Sequence, residues 1–255
     1  MNNGTLRQSL RLSATLLLVG QLLYIVITLL HTGGPANDHP TIFEAYAESG
    51  TWTAVHLGQF AAMAILLAGL FALRFALDTQ AGMATWASWA SRFGAAFAVA
   101  ALALYGALQA VDGVANKQVD VAWVNAPTAE KAARFASAET VRWIEWGLRS
   151  YQNFALGFAL LMFAVALVRT AGVPRPIAVL MGLAGLTYLV QGWVAGTEGF
   201  SPTLSNAIVL AYVLDVVWMI WLLVVALRMH DAEPRRLAEA GEGMPDAIAI
   251  NTSSR

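Results

Sequence analysis

Residues 139–168 read ETVRWIEWGLRSYQNFALGFALLMFAVALV, and this stretch decides the fold. Its first part carries Glu139, Arg142, Glu145, Arg149 and Gln152 at spacings of three, three, four and three, which on a helix puts all five on one stripe. From Trp146 to Val168 the run turns apolar and is long enough to cross a bilayer core of about 30 Å, which takes about 20 helical residues. A ladder of alternating charges is therefore led toward lipid depth, where charge is costly and marks a site more often than a scaffold. An interfacial ion-pair ladder that merely fixes the helix is the competing reading. Trp143 and Trp146 beside the charges, and Arg149 and Gln152 beyond the point where a solvated face should end, argue against it.

The same pattern extends along the chain. Apolar runs at about 12–31, 52–73, 93–111, 146–168, 176–195 and 205–228 predict an all-α, polytopic six-helix bundle over residues 1–229, with a disordered cytoplasmic tail at 230–255. The 255-residue chain is 58% hydrophobic and 12% charged, against about 25% charged in a soluble domain. The first run is too long for a signal peptide, whose apolar core holds about 7–15 residues, and reads as a retained span. Ser201 as N-cap and Pro202 at the first helical position should open the sixth span. The longest polar connection should run from Asp112 to about Val141, and Trp86 and Trp89 fit an interfacial aromatic belt.

Composition excludes several chemistries. With no cysteine there are no disulfides, cysteine-ligated zinc, iron–sulfur clusters or thiol catalysis. A net charge of −1 gives no reason to expect nucleic acid; the lipid bilayer is the expected partner. No phosphate-binding loop, nucleophile elbow or dinucleotide fingerprint is present. Arg7, Arg11, Arg74, Arg92, Arg169, Arg175, Arg228, Arg235 and Arg236 outnumber the basic residues predicted on the other face. By the positive-inside bias both termini should be cytoplasmic, in a bacterial inner (plasma) membrane.

The remaining polar residues gather at the opposite ends of the spans. Glu145 and Asp112 are candidate acids or bases, with Arg142 to position an anionic group. Arg149, Gln152, Gln109, Gln191, Glu198 and Gln59 are candidate ligand-binding residues at a similar level, and Asp215 lies deeper, near the middle of the sixth span. Asp215 is either a functional group or an interhelical hydrogen-bond partner of Gln21, Tyr24, Tyr188 or Tyr212. His31 ends the first span and His56 begins the second. With a carboxylate from Glu44, Asp112 or Glu145 they could hold a divalent metal such as zinc, although no HExxH spacing exists; haem between the two histidines is the other metal reading. Gly69, Gly157, Gly182 and Gly185 suit close helix packing in the apolar halves.

Val141 to Gly147, the span that follows, and Val173-Pro174-Arg175-Pro176 resemble a broad family of uncharacterised bacterial multi-pass membrane proteins. Those carry a similar Arg-x-x-Glu at the head of a span and a Val-Pro-Arg turn before the next. The resemblance covers residues 141–190 and implies the membrane architecture, with Arg142 and Glu145 as the polar positions carried over. Three functions stay open: an extracytoplasmic-facing intramembrane pocket that binds or processes a small amphipathic or lipid-like ligand; a proton-coupled transporter using Asp215; and a non-enzymatic subunit docking a partner through loop 113–140.

Overall fold

A computed structural model describes residues 3–35, 37–78 and 85–229 of the chain. Among the described residues eight α-helices follow one another: α1 (Asn3–Thr28), α2 (His39–Glu48), α3 (Trp52–Asp78), α4 (Trp86–Ala110), α5 (Lys117–Val124), α6 (Lys131–Leu167), α7 (Arg175–Glu198) and α8 (Pro202–Arg228). A π-helical segment, Val111–Asn116, joins α4 to α5 without a break, and there is no strand among the described residues. Six helical stretches among the described residues are long and apolar enough to cross a membrane, counting α4 through α5 as one. Ser201 caps α8 by accepting from the Leu204 amide at 3.2 Å, with Pro202 in the first turn, as its sequence requires. The tail at 230–255 lies outside the described residues.

Two parts of the expected layout differ. The connection 113–140 is helical except at 125–130. Its polar residues Asp112, Asn116 and Asp120 follow one another at four-residue steps and are buried, so they lower the hydropathy of a helix that nevertheless continues. The link between the first two spans also folds: Asp38 accepts from the Thr41 amide (3.4 Å) and hydroxyl (2.9 Å), and opens α2. The first helix correspondingly stops at Thr28 and leaves His31 in the turn beyond it.

Length then explains the architecture. The stretch Trp86–Val124 (39 residues) and α6 (37 residues) each reach about 55 Å at 1.5 Å per residue, nearly twice an apolar bilayer core. Their surplus turns pack with α2 into a cap, whose small core is Ile42, Phe43, Tyr46, Trp52, Trp123 and Ala138. Lys117 holds the cap together by donating from Nζ to the carbonyls of Tyr46, Ala47 and Ser49 at 2.7–2.9 Å, which satisfies the C-terminal end of α2.

At the other end, Arg11 donates to the carbonyls of Ala226 and Leu227, both at 3.0 Å, so the described ends of α1 and α8 lie together. Trp86 and Trp89 are exposed there, under the guanidinium groups of Arg169 and Arg92. Between the two ends the helices approach closely at glycine. A Cβ on Gly69 would lie 2.7–2.8 Å from Leu17 atoms of α1, and Gly157 and Gly185 meet each other's carbonyls across the α6–α7 contact. Gly182 is not pinched, its nearest neighbour being Ala164 Cβ at 3.6 Å.

Candidate functional site

Beneath the cap lies a cavity of about 300 Å³. It draws Tyr24 and Thr28 from α1, Gln59 from α3, Gln109 from α4, Asp112 from the π segment, Arg142, Glu145 and Arg149 from α6, and Tyr212 from α8. His31 lines it from the turn after α1, and Phe200 from the α7–α8 link. Local backbone explains these positions. The α6 stripe delivers three of its charged side chains to one wall because its spacing matches the helical repeat. The π segment turns Asp112 and Asn116 inward, in keeping with the frequent use of such segments at functional sites.

The ion pair is central. Arg142 Nη1 donates to Glu145 Oε2 at 2.6 Å, and both side chains are almost fully buried. Asn116 Nδ2 donates to the same Glu145 oxygen at 2.6 Å and lies 3.3 Å from Asp112 Oδ1, so one amide links the two carboxylates. The Arg142 guanidinium also rests over Phe200, 4.5 Å from the ring centre. Next to it, His56 Nε2 lies 3.1 Å from Asp112 Oδ2, while its Nδ1 faces the Trp52 carbonyl at 2.7 Å. His31, His56 and Asp112 each bring one ligand atom to within 4.8 Å of the others. Burial lowers the His31 pKa and leaves that ring neutral near pH 7; burial likewise raises the Tyr46 phenol above its usual range.

Arg149 differs from Arg142. Its Nη1 donates to the Tyr24 hydroxyl at 3.1 Å, its Nε has no partner, and among the described residues no carboxylate lies within ion-pair distance of it. Tyr24 packs edge-on against Tyr105 and Tyr212, which places a phenolic floor around the guanidinium.

The other expected site residues separate from this group. Gln59 and Gln109 line the cavity, Gln59 donating to Thr28 Oγ1 at 3.2 Å. Gln152 is buried outside the lining, its Nε2 unpartnered. Gln191 points to α8 and donates to the Ala207 carbonyl at 3.3 Å. Glu198 is exposed and accepts from Ser201. Asp215 is buried, with one oxygen accepting from Tyr188 Oη (2.9 Å) and the other from Trp218 Nε1 (3.0 Å). His39 pairs with Glu139 at 3.0 Å, away from the other histidines.

Sequence reasoning missed Asn116, the burial of Asp120 and the tyrosine floor. Asn116 and Asp120 carried a signal, the four-residue step from Asp112. Asp120 is fully buried and neither of its carboxylate oxygens has a hydrogen-bond partner. The floor carried none, since Tyr24, Tyr105 and Tyr212 come from three different helices.

Six helices of membrane-crossing length, with ionisable groups buried where they converge, define a multi-pass integral membrane protein. Residues 12–226 match the family described as Domain of unknown function (DUF4386), and the chain belongs to that family. No curated protein and no solved structure matches it.

Proposed function

We propose that the cavity binds a small amphipathic, lipid-like ligand by its anionic headgroup and exposes it to the acid–base groups Glu145 and Asp112. The observation that carries this reading is Arg149, a guanidinium at the cavity floor with no carboxylate among the described residues to neutralise it. Cations at membrane depth are normally paired, and an arginine fork suits carboxylate or phosphate. Arg142 is already committed to Glu145 and serves to hold that carboxylate in place.

Support for the apolar half of the ligand comes from a second cavity of about 300 Å³ between α3 and α4, lined by Leu57, Phe60, Gly106, Ala110 and Val114. Gln109 lines both cavities, and Leu57 and Val114 are more than half exposed on the outer surface of the bundle. A chain lying there would reach the polar site from the bilayer. In this reading the cap faces the extracytoplasmic side of an inner membrane and the termini lie in the cytoplasm. The hydrogen bonds on both Asp215 oxygens favour a bond between helices over a transport proton carrier.

Binding of a fluorescent single-chain phosphate amphiphile to the purified protein in detergent tests the proposal. Arg149→Gln should weaken it about tenfold or more, since a charged hydrogen bond contributes about 1.5–3 kcal/mol. A zwitterionic analogue of the same chain should bind both proteins alike. Equal affinity of the two proteins for the phosphate amphiphile would rule the assignment out.

A further inference from the structure

We propose that His31, His56 and Asp112 form a three-ligand site for a divalent first-row transition metal, zinc by donor chemistry, on the wall of the cavity. His56 carries its proton on the side of the ring away from Asp112. Its Nδ1 lies 2.7 Å from the Trp52 carbonyl, and a carbonyl oxygen only accepts, so Nδ1 carries hydrogen. In the neutral ring Nε2 is then a bare lone pair, and it faces Asp112 Oδ2 at 3.1 Å. Two acceptors so placed need a positive charge at their side of the ring, supplied by a second proton or by a metal cation.

His31 decides between them. Its ring centre is 5.0 Å from that of His56, at an interplanar angle of 63°, and it brings a third ligand atom to the same spot. A proton shared by His56 and Asp112 gives His31 nothing to bind; a metal gives all three a common partner. Zinc holds nitrogen and carboxylate oxygen at about 2.0–2.2 Å, so tetrahedral ligand atoms stand about 3.3–3.5 Å apart. The His56–Asp112 separation is close to that edge, and His31, in the turn outside α1, completes a group whose ligand atoms all lie within 4.8 Å of one another.

The supporting groups match a metal site too. A ligating histidine ordinarily donates its other N–H to a carbonyl or carboxylate, as His56 does to Trp52. Asp112 is fixed at both ends: its Oδ1 faces Asn116 Nδ2, and its carbonyl accepts from Trp52 Nε1 at 2.9 Å. Gly113 allows this approach, since a Cβ there would lie 2.7 Å from His56 Cβ. Two imidazoles and one carboxylate, with no sulfur, leave a fourth position toward the cavity that His31 and Asp112 line, the arrangement of a catalytic rather than a structural zinc. A cation there would supply Lewis acidity to a bound ligand's oxygen. The inference deepens the amphiphile reading because it concerns the same cavity and shares Asp112 with it, yet its histidines are residues that reading does not use.

Elemental analysis of the full-length protein in detergent, stripped with chelator and reloaded with zinc chloride, tests it. About one zinc per chain should survive gel filtration. His56→Ala and Asp112→Asn should each lower it to background, while His39→Ala keeps it. Cobalt loading of the unmodified protein should give the visible bands of a low-coordinate nitrogen–oxygen site, and chelator should lower its Tm; neither readout depends on a variant that folds. A wild-type protein that takes up no zinc or cobalt, or that carries the same metal as the variants, overturns the proposal and leaves His56 and Asp112 as a metal-free imidazolium–carboxylate pair. Zinc uptake with no difference between Arg149→Gln and wild type in amphiphile binding would sink the ligand reading alone.

Discussion

At the scale of the residue, the Arg142–Glu145 pair sets the largest single cost in the site. Both groups are buried and Asn116 donates to the same Glu145 oxygen as Arg142, so removing one charge strands the other. Glu145→Ala should destabilise the protein by about 3–5 kcal/mol, seen as a lowered Tm in detergent, whereas the solvent-facing Glu130→Ala should change little. Equal effects of the two substitutions would mean the buried pair is solvated in the membrane-embedded state. The stripe on α6 was legible because helical arithmetic needs only one segment of chain. Trp218 as partner to Asp215 was equally local, at a spacing of three, and was overlooked because an indole in an apolar run reads as packing. The meeting of Arg149 with Tyr24, 125 positions apart, carried no local signal at all.

At the scale of the element, backbone proximity is what the glycines supply. Gly69→Ala would push a Cβ against the backbone nitrogen of Leu17 at 2.8 Å, so α1 and α3 must separate, a change that overpacking data place at about 1–3 kcal/mol. Gly182→Ala on α7 meets only an ordinary contact and should be tolerated, and comparing the two melting temperatures checks the geometry. Sequence composition marked Gly69 and Gly182 as equivalent, since it shows that small residues are present but not which of them face another backbone. Hydropathy likewise located all six spans yet ended the third at Val111, because a helix that turns Asp112, Asn116 and Asp120 inward resembles a loop when its polarity is averaged. Helix α2 was hidden for another reason: ten residues are too few to be stable alone, and Ile42, Phe43 and Tyr46 find burial only in the cap that they help to build.

At the scale of the whole molecule, polarity is concentrated at the cap end and the described chain ends meet at the other. The absence of native cysteine makes the resulting sidedness simple to measure with introduced thiols. Ser137→Cys, exposed on the cap, should react with a membrane-impermeant maleimide added to intact cells, and Thr5→Cys, exposed near the start of α1, only after permeabilisation. The reverse pattern would invert the orientation that the basic residues indicate. Six spans were legible from composition because the solvent constrains them so strongly; the cap was not, since nothing in an apolar window tells how far a helix continues once it leaves lipid.

The π segment has a consequence for descent with insertion and deletion. A wide turn of this kind holds one residue more than the α-helical ladder around it. Losing the outward-facing Val114 would remove that surplus, letting the i→i−4 pattern run through unbroken with the helix on either side keeping nearly the same facing. A second loss, with no surplus left to absorb it, would swing every later side chain by about 100° around the axis and carry Asp120 and Trp123 out of the cap. Chain length between Val111 and Asn116 therefore has one residue of slack and no more.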